Sequence, residues 1–191
     1  MFPINTKFQV IAKLEIKLRV NKIKIGILGG SFDPAHKGHL AISKEALKKF
    51  ELDIIIWAIT NQNPFKKKST ISLSKRIMIC KNIIRGNKLI KVKYFENIIK
   101  SNKTADLINY LYKNKKYELF FLMGADNLIN FHKWYRFRNI IKKSKILVFD
   151  RHGFKKKSLN SKTYKAFKGH EVKFVEFNKV NISSSQLRKI W

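Results

Sequence analysis

The chain has 191 residues, 45% of them hydrophobic and 13% aromatic, which is enough for one packed domain and too apolar for wholesale disorder. No apolar run approaches the ~20 residues of a membrane span. The opening residues lack a secretion signal, and the lone cysteine, Cys80, excludes an internal disulfide and a cysteine-based metal cluster. A cytoplasmic protein is therefore expected. Basic residues outnumber acidic ones by 42 to 12, for a net charge of +30, a balance that attracts polyanions. Yet only Arg19, Arg76, Arg85, Arg136, Arg138, Arg151 and Arg188 are arginines, and the lysines are spread along the whole length among many Ile and Asn. Base readout and two-pronged phosphate gripping lean on arginine. The composition thus resembles a coding bias towards lysine, and nucleic-acid binding as the main role is disfavoured.

Residues 1–22 alternate basic and apolar positions without turn signals and are set apart as an N-terminal extension, leaving one domain over 23–191. Lys24-Ile25-Gly26-Ile27-Leu28 is a short apolar run stopping at Gly29-Gly30, a buried strand followed by a tight turn. Apolar residues recur at helical spacing over 39–47. Residues 53–59 form a second buried strand, ending in the polar loop Thr60-Asn61-Gln62-Asn63-Pro64. A helix over 74–84, a strand over 89–95, a helix over 104–112 and a strand over 118–123 follow. The periodicity then predicts a helix over 134–141, a strand over 145–149, a basic stretch of loop with weak helix over 151–170, a strand over 172–177 and a last helix from about 183. Strands alternating with helices imply an α/β fold, a parallel sheet covered on both faces by right-handed crossovers. In such sheets ligands sit beyond the carboxyl ends of the strands, at the point where strand order reverses.

Chemistry concentrates after the first strand, in Gly29-Gly30-Ser31-Phe32-Asp33-Pro34-Ala35-His36-Lys37-Gly38-His39-Leu40. Glycines let the backbone approach a ligand closely. His36 and His39, three apart, share a face of the first helical turn. A helix N-terminus already attracts anions through its free N–H groups and positive dipole end. Two imidazoles there would bond phosphate oxygens. A zinc site is the rival for a His-x-x-His pair, but a nearby cysteine or third histidine is lacking. Near the other end, Ile182-Ser183-Ser184-Ser185-Gln186-Leu187-Arg188 offers a capping box in Ser183 and Gln186, with Ser184 and Arg188 on one face. Taken alone, this would be an ordinary capped helix.

Together the two segments resemble the hallmarks of nucleotidyltransferases that move an adenylyl or cytidylyl group: a Gly-x-Phe-Asp-Pro-x-His-x-Gly-His signature and an Ile-Ser-Ser-x-x-x-Arg turn. Three further segments resemble the nicotinate-mononucleotide adenylyltransferase branch. They are Asn63-Pro64-Phe65-Lys66, Thr104-Ala105-Asp106-Leu107, and Met123-Gly124-Ala125-Asp126-Asn127-Leu128 with the following Phe131-His132-Lys133-Trp134-Tyr135. Two positions depart from that branch: Lys103 stands where tyrosine is usual, and Leu107 where a second threonine is usual.

The resemblance implies a Rossmann-like, doubly wound single domain. It also implies transfer of the adenylyl group of ATP to nicotinate mononucleotide, with release of pyrophosphate. His36, His39 and Arg188 would be catalytic. ATP would be held by Gly29, Gly30, Ser31, Phe32, His36, His39, Gly124, Asp126, Ile182, Ser183, Ser184 and Arg188. The mononucleotide would meet Asn63, Lys66, Thr104, Trp134 and Tyr135, with Trp134 stacked on the pyridine and the backbone of Thr104 and Tyr135 at its carboxylate. Mg2+ would arrive on the substrate phosphates and need no dedicated protein ligands. Read for themselves, Trp134 suits a core aromatic and Asp126 a helix cap. Transfer to phosphopantetheine, transfer to nicotinamide mononucleotide, an aminoacyl-tRNA synthetase fragment and a basic nucleic-acid-binding protein are the alternatives. A homo-oligomer is compatible with everything in the chain.

Overall fold

The computed structural model describes residues 22–63, 68–151, 153–169 and 171–176. In chain order the elements are β1 (Ile23–Gly30), α1 (Lys37–Phe50), β2 (Ile54–Ile59), α2 (Leu73–Ile83), β3 (Ile90–Lys93), α3 (Glu96–Ile99), α4 (Thr104–Tyr112), β4 (Tyr117–Gly124), α5 (Ala125–Ile129), a 3₁₀ turn (Phe131–Lys133), α6 (Phe137–Lys143), β5 (Lys145–Phe149), α7 (Lys155–Leu159), α8 (Lys162–Phe167) and β6 (Val172–Val175). The six strands pair in parallel in the order β3-β2-β1-β4-β5-β6. The expected Rossmann-like sheet is therefore present, and its order reverses between β1 and β4.

The apolar runs of β1, β4 and β5 are buried on both faces, with a period of two. Ile25, Ile27, Phe121, Ile146 and Val148 join the core beneath α4 and α6. Leu28, Phe120, Leu122, Leu147 and Phe149 point the other way, into the core shared with α1 and α2. Gly26 is required where β1 crosses β2: a Cβ there would lie 2.9 Å from both Ile55 Cγ1 and Leu52 Cδ1.

Two expectations need correction, at the helix expected from 134 and at the end of β6. The helix expected over 134–141 begins only at Phe137. Trp134 is extended (φ −72°, ψ 145°) after the 3₁₀ turn, and Arg136 adopts a left-handed conformation (φ 47°) that a continuing helix cannot contain. The weak helix expected within 151–170 is present as two short helices, α7 and α8. Strand β6 ends at Val175, short of 177. The last helix expected near 183, and residues 1–21 of the N-terminal extension, lie outside the described residues. No described helix is long and apolar enough to cross a membrane.

Candidate active site

At the N-terminus of α1 the two motif histidines cap the helix themselves. His36 is the N-cap residue, and its Nδ1 accepts from the Gly38 N–H at 3.1 Å. The N–H of His36 in turn donates to His39 Nδ1 at 3.2 Å. The rings lie 3.9 Å apart between centroids. A ring nitrogen that accepts a hydrogen bond carries no proton, so each neutral imidazole keeps its proton on Nε2 and presents an N–H donor there. The capping box thus fixes the tautomer, and the fixed tautomer is the one that bonds an anion.

Beneath the histidines is an aromatic floor. Phe32 stacks on Trp57 at 5.1 Å and touches the His39 ring at 4.8 Å. Trp57 Nε1 donates to the buried Ser43 Oγ at 2.8 Å, which donates in turn to the His39 carbonyl at 2.9 Å. Phe32 is only 2% exposed, so what it offers a ligand is backbone. Its φ of +48° is a conformation that costs roughly 1–2 kcal/mol outside glycine.

Beyond β1, β2 and β4 opens a cleft of about 840 Å³, open solvent at its mouth included. Gly29, Gly30, Asn63, Thr104, Trp134 and Tyr135 all line it, together with Glu96 and Lys103. Glycines assigned to ATP and residues assigned to the mononucleotide therefore meet in one space. Half-buried Trp134 stands edge-on to Phe131 at 5.2 Å and Phe121 at 6.2 Å, so it belongs both to the core and to the cleft wall. Exposed Tyr135 carries the Arg136 guanidinium 5.0 Å over its ring. Thr104 opens α4, whose N-terminus has no side-chain cap. Such an end suits a carboxylate bound by backbone N–H groups.

Gly124 and Asp126 sit at the junction of β4 and α5 and do not line that cleft. Asp126 Oδ2 accepts from Arg151 Nη1 at 2.5 Å. Its Oδ1 is buried without a hydrogen-bond partner among the described residues. A Cβ on Gly124 would lie 2.5 Å from that oxygen. Ser31 is half-buried, and its carbonyl is held by Arg76. Lys66, Ile182, Ser183, Ser184 and Arg188 lie outside the described residues.

Four supporting groups escaped the sequence reading. Arg76 and Arg151 are two. Asp33, buried within the motif, accepts from the N–H groups of Thr70 at 3.0 Å and Ile71 at 3.2 Å. Glu96 accepts from the Thr60 hydroxyl, the Asn61 N–H at 3.2 Å and Tyr94 Oη at 3.2 Å. Burial first, and then the Glu96 charge and hydrogen bond, push the Tyr94 phenol above its usual range. The arginines had one available signal: in so lysine-rich a chain, a residue with a planar fork of donors stands out.

A parallel sheet with a histidine-capped helix at its switch point is the framework of a nucleotidyltransferase, and the family model described as "Cytidylyltransferase-like" matches residues 27–190. A Pelagibacter ubique protein named a probable nicotinate-nucleotide adenylyltransferase is 61% identical over 180 residues, covering 94% of this chain and all of that one. A protein of the same name from Agrobacterium fabrum is 37% identical over 75% of this chain and 77% of its own. The Plasmodium falciparum nicotinic acid mononucleotide adenylyltransferase, solved in complex with APC, shares the fold at a TM-score of 0.71 and 20% identity, covering 87% of this chain and 82% of that one. The chain belongs to the nicotinate-nucleotide adenylyltransferase family.

Proposed function

We propose that the switch-point cleft transfers the adenylyl group of ATP to nicotinate mononucleotide, in the cytoplasm, giving nicotinate adenine dinucleotide and pyrophosphate. One observation carries it: the two motif imidazoles cap the N-terminus of α1 at the switch point, both accepting backbone N–H groups through Nδ1, in a chain of this family. An oxygen of the mononucleotide 5′-phosphate attacks the α-phosphorus of ATP in line. The new P–O bond forms as the bond to the bridging oxygen breaks, and that electron pair leaves with pyrophosphate. The nucleophile is already an anion, so no side-chain base is needed. Catalysis then rests on positioning and on stabilising charge.

His36 and His39 donate to the α-phosphate and the bridging oxygen, while Ser184 and Arg188 steady the leaving group. Asp126, braced by Arg151, takes a ribose hydroxyl. Thr104 and Tyr135 hold the pyridine carboxylate through their backbone, Trp134 stacks on the ring, and Asn63 and Lys66 serve the mononucleotide side. The donor chemistry supports an ion carried by substrate. The phosphate-facing groups are imidazole and backbone N–H, whereas Asp33 and Glu96 are engaged by protein donors and Asp126 is tied to Arg151 through Oδ2, leaving Oδ1 for the ribose. Magnesium arriving on the ATP phosphates would supply charge neutralisation.

The test is pyrophosphate release from ATP and magnesium, with nicotinate mononucleotide, nicotinamide mononucleotide or phosphopantetheine supplied separately. The first should be strongly preferred, and turnover should stop on chelation and return with magnesium. Folded protein inactive with all three would overturn the proposal.

A further inference from the structure

Arg76 lies on α2, 1% exposed, where a charge is costly unless its hydrogen bonds are met. Every hydrogen bond of its guanidinium among the described residues goes to a carbonyl. Nε donates to Ile71 O at 2.9 Å, Nη1 to Ser31 O at 2.6 Å and to Thr60 O at 2.8 Å, and Nη2 to Asn61 O at 2.9 Å. Ser31 belongs to the loop leaving β1 for the histidines, and Thr60 and Asn61 to the loop leaving β2 for Asn63. One planar group therefore spans the two segments assigned to the two substrates.

Two carboxylates grip the same segments through backbone N–H groups. Asp33 takes the Ile71 N–H, and Glu96 takes the Asn61 N–H. Lysine could not replace this clamp, because its three donors radiate from one atom, whereas the guanidinium offers five in a fixed plane. Nor does stability by itself explain a buried ion, since apolar side chains of similar volume often serve a core as well or better. What the ion does here is fix four carbonyls of three segments relative to one another.

We propose that Arg76 is a positioning residue that locks the ATP loop and the mononucleotide loop into one register, so that each substrate's site depends on the same side chain. Its kinetic consequence rests on the function proposed above; its mechanical consequence does not. In Arg76→Lys, KM should rise roughly 10-fold or more for both substrates together, with kcat reduced, in protein that still melts cooperatively. Without substrate, hydrogen exchange at Phe32 and at 60–62 should accelerate in parallel. Guanidinium at sub-denaturing concentration should restore part of the activity of Arg76→Ala, and urea should not.

A lowered melting temperature with wild-type KM and kcat well below melting would overturn the proposal, as would loosening of one loop without the other. Should Arg76→Lys fail to fold, Arg76→Ala decides: no recovery of activity and loop protection with guanidinium overturns it. If the wild type is inactive with every acceptor, the proposed function fails, while hydrogen exchange still decides the coupling.

Discussion

Replacing Gly124 with alanine tests the β4–α5 junction more sharply than removing Asp126 does. The backbone at Gly124 (φ −76°, ψ 153°) is open to any residue, so alanine adds no backbone strain. The added Cβ would lie 2.5 Å from Asp126 Oδ1. To reach ordinary contact at 3.4 Å the carboxylate must retreat by about 0.9 Å, beyond the ~0.5 Å within which a working group must be held. The same retreat stretches the 2.5 Å bond from Arg151 towards or past the limit for a good hydrogen bond.

Loss of a hydrogen bond to a charged group costs about 1.5–3 kcal/mol, so kcat/KM for ATP should fall roughly 10- to 150-fold. Stability should change little. A partly exposed ion pair is worth about 1 kcal/mol or less, or about 2–4 °C in a domain of this size. The assay is pyrophosphate release with ATP varied at saturating mononucleotide, beside thermal melts. The double variant Gly124→Ala/Asp126→Ala should be no worse than Asp126→Ala alone. A wild-type KM for ATP in Gly124→Ala, or penalties that add in the double variant, would refute the reasoning.

Three further predictions separate role from scaffold. Asparagine is a good N-cap, so His36→Asn should keep the melting temperature while kcat falls roughly 100-fold or more; a kcat within tenfold of wild type would make His36 a cap alone. Cys80 is fully buried, and burial pushes its thiol up to about 12 from 9.0. Its contribution to stability is therefore complete below pH 9 and lost as pH rises towards 12, and between those limits wild type should lose about 1.4 kcal/mol per pH unit more than Cys80→Ala in denaturant melts. Lys103 lines the cleft, at the position where the family resemblance implies tyrosine; an exposed cation contributes about 0.2–1 kcal/mol, so Lys103→Tyr should move the ratio of kcat/KM for nicotinate over nicotinamide mononucleotide by less than about fivefold.

Local pattern carried much of the architecture. Helix α4 and strand β5 match their expected limits, because Ala105, Ile108 and Leu111 recur at helical spacing and Ile146 to Phe149 form an unbroken apolar run. The helix expected at 134 shows where pattern fails. Trp134, Phe137, Ile140 and Ile141 keep an apolar rhythm across a break made by the backbone of Arg136, and periodicity cannot register a reversed φ. Helices α3 and α5, of 4 and 5 residues, are too short to show a period at all. The histidine motif was legible because its function is written in adjacent residues. The pairing of Arg76 with Ser31, 45 positions away, and of Asp33 with Thr70, 37 away, leaves no local trace and had to come from the fold.

That division is itself informative about the cleft. Phe32 holds a left-handed backbone, Arg76 buries a charge, and Asp126 keeps an oxygen unpartnered among the described residues. Each departs from what the strand-and-helix pattern would select: Phe32 follows β1, Asp126 follows β4, and Arg76 reaches from α2 to carbonyls just beyond β1 and β2. Departures of this kind gather where a protein gives up local stability for function. The two loops that bear substrate assignments are each held by a partner remote in sequence, and they share one, Arg76. A change that loosens either loop should therefore be felt at both. The independence of the two substrate sites is thus the quantity that the kinetics of these variants should be designed to measure.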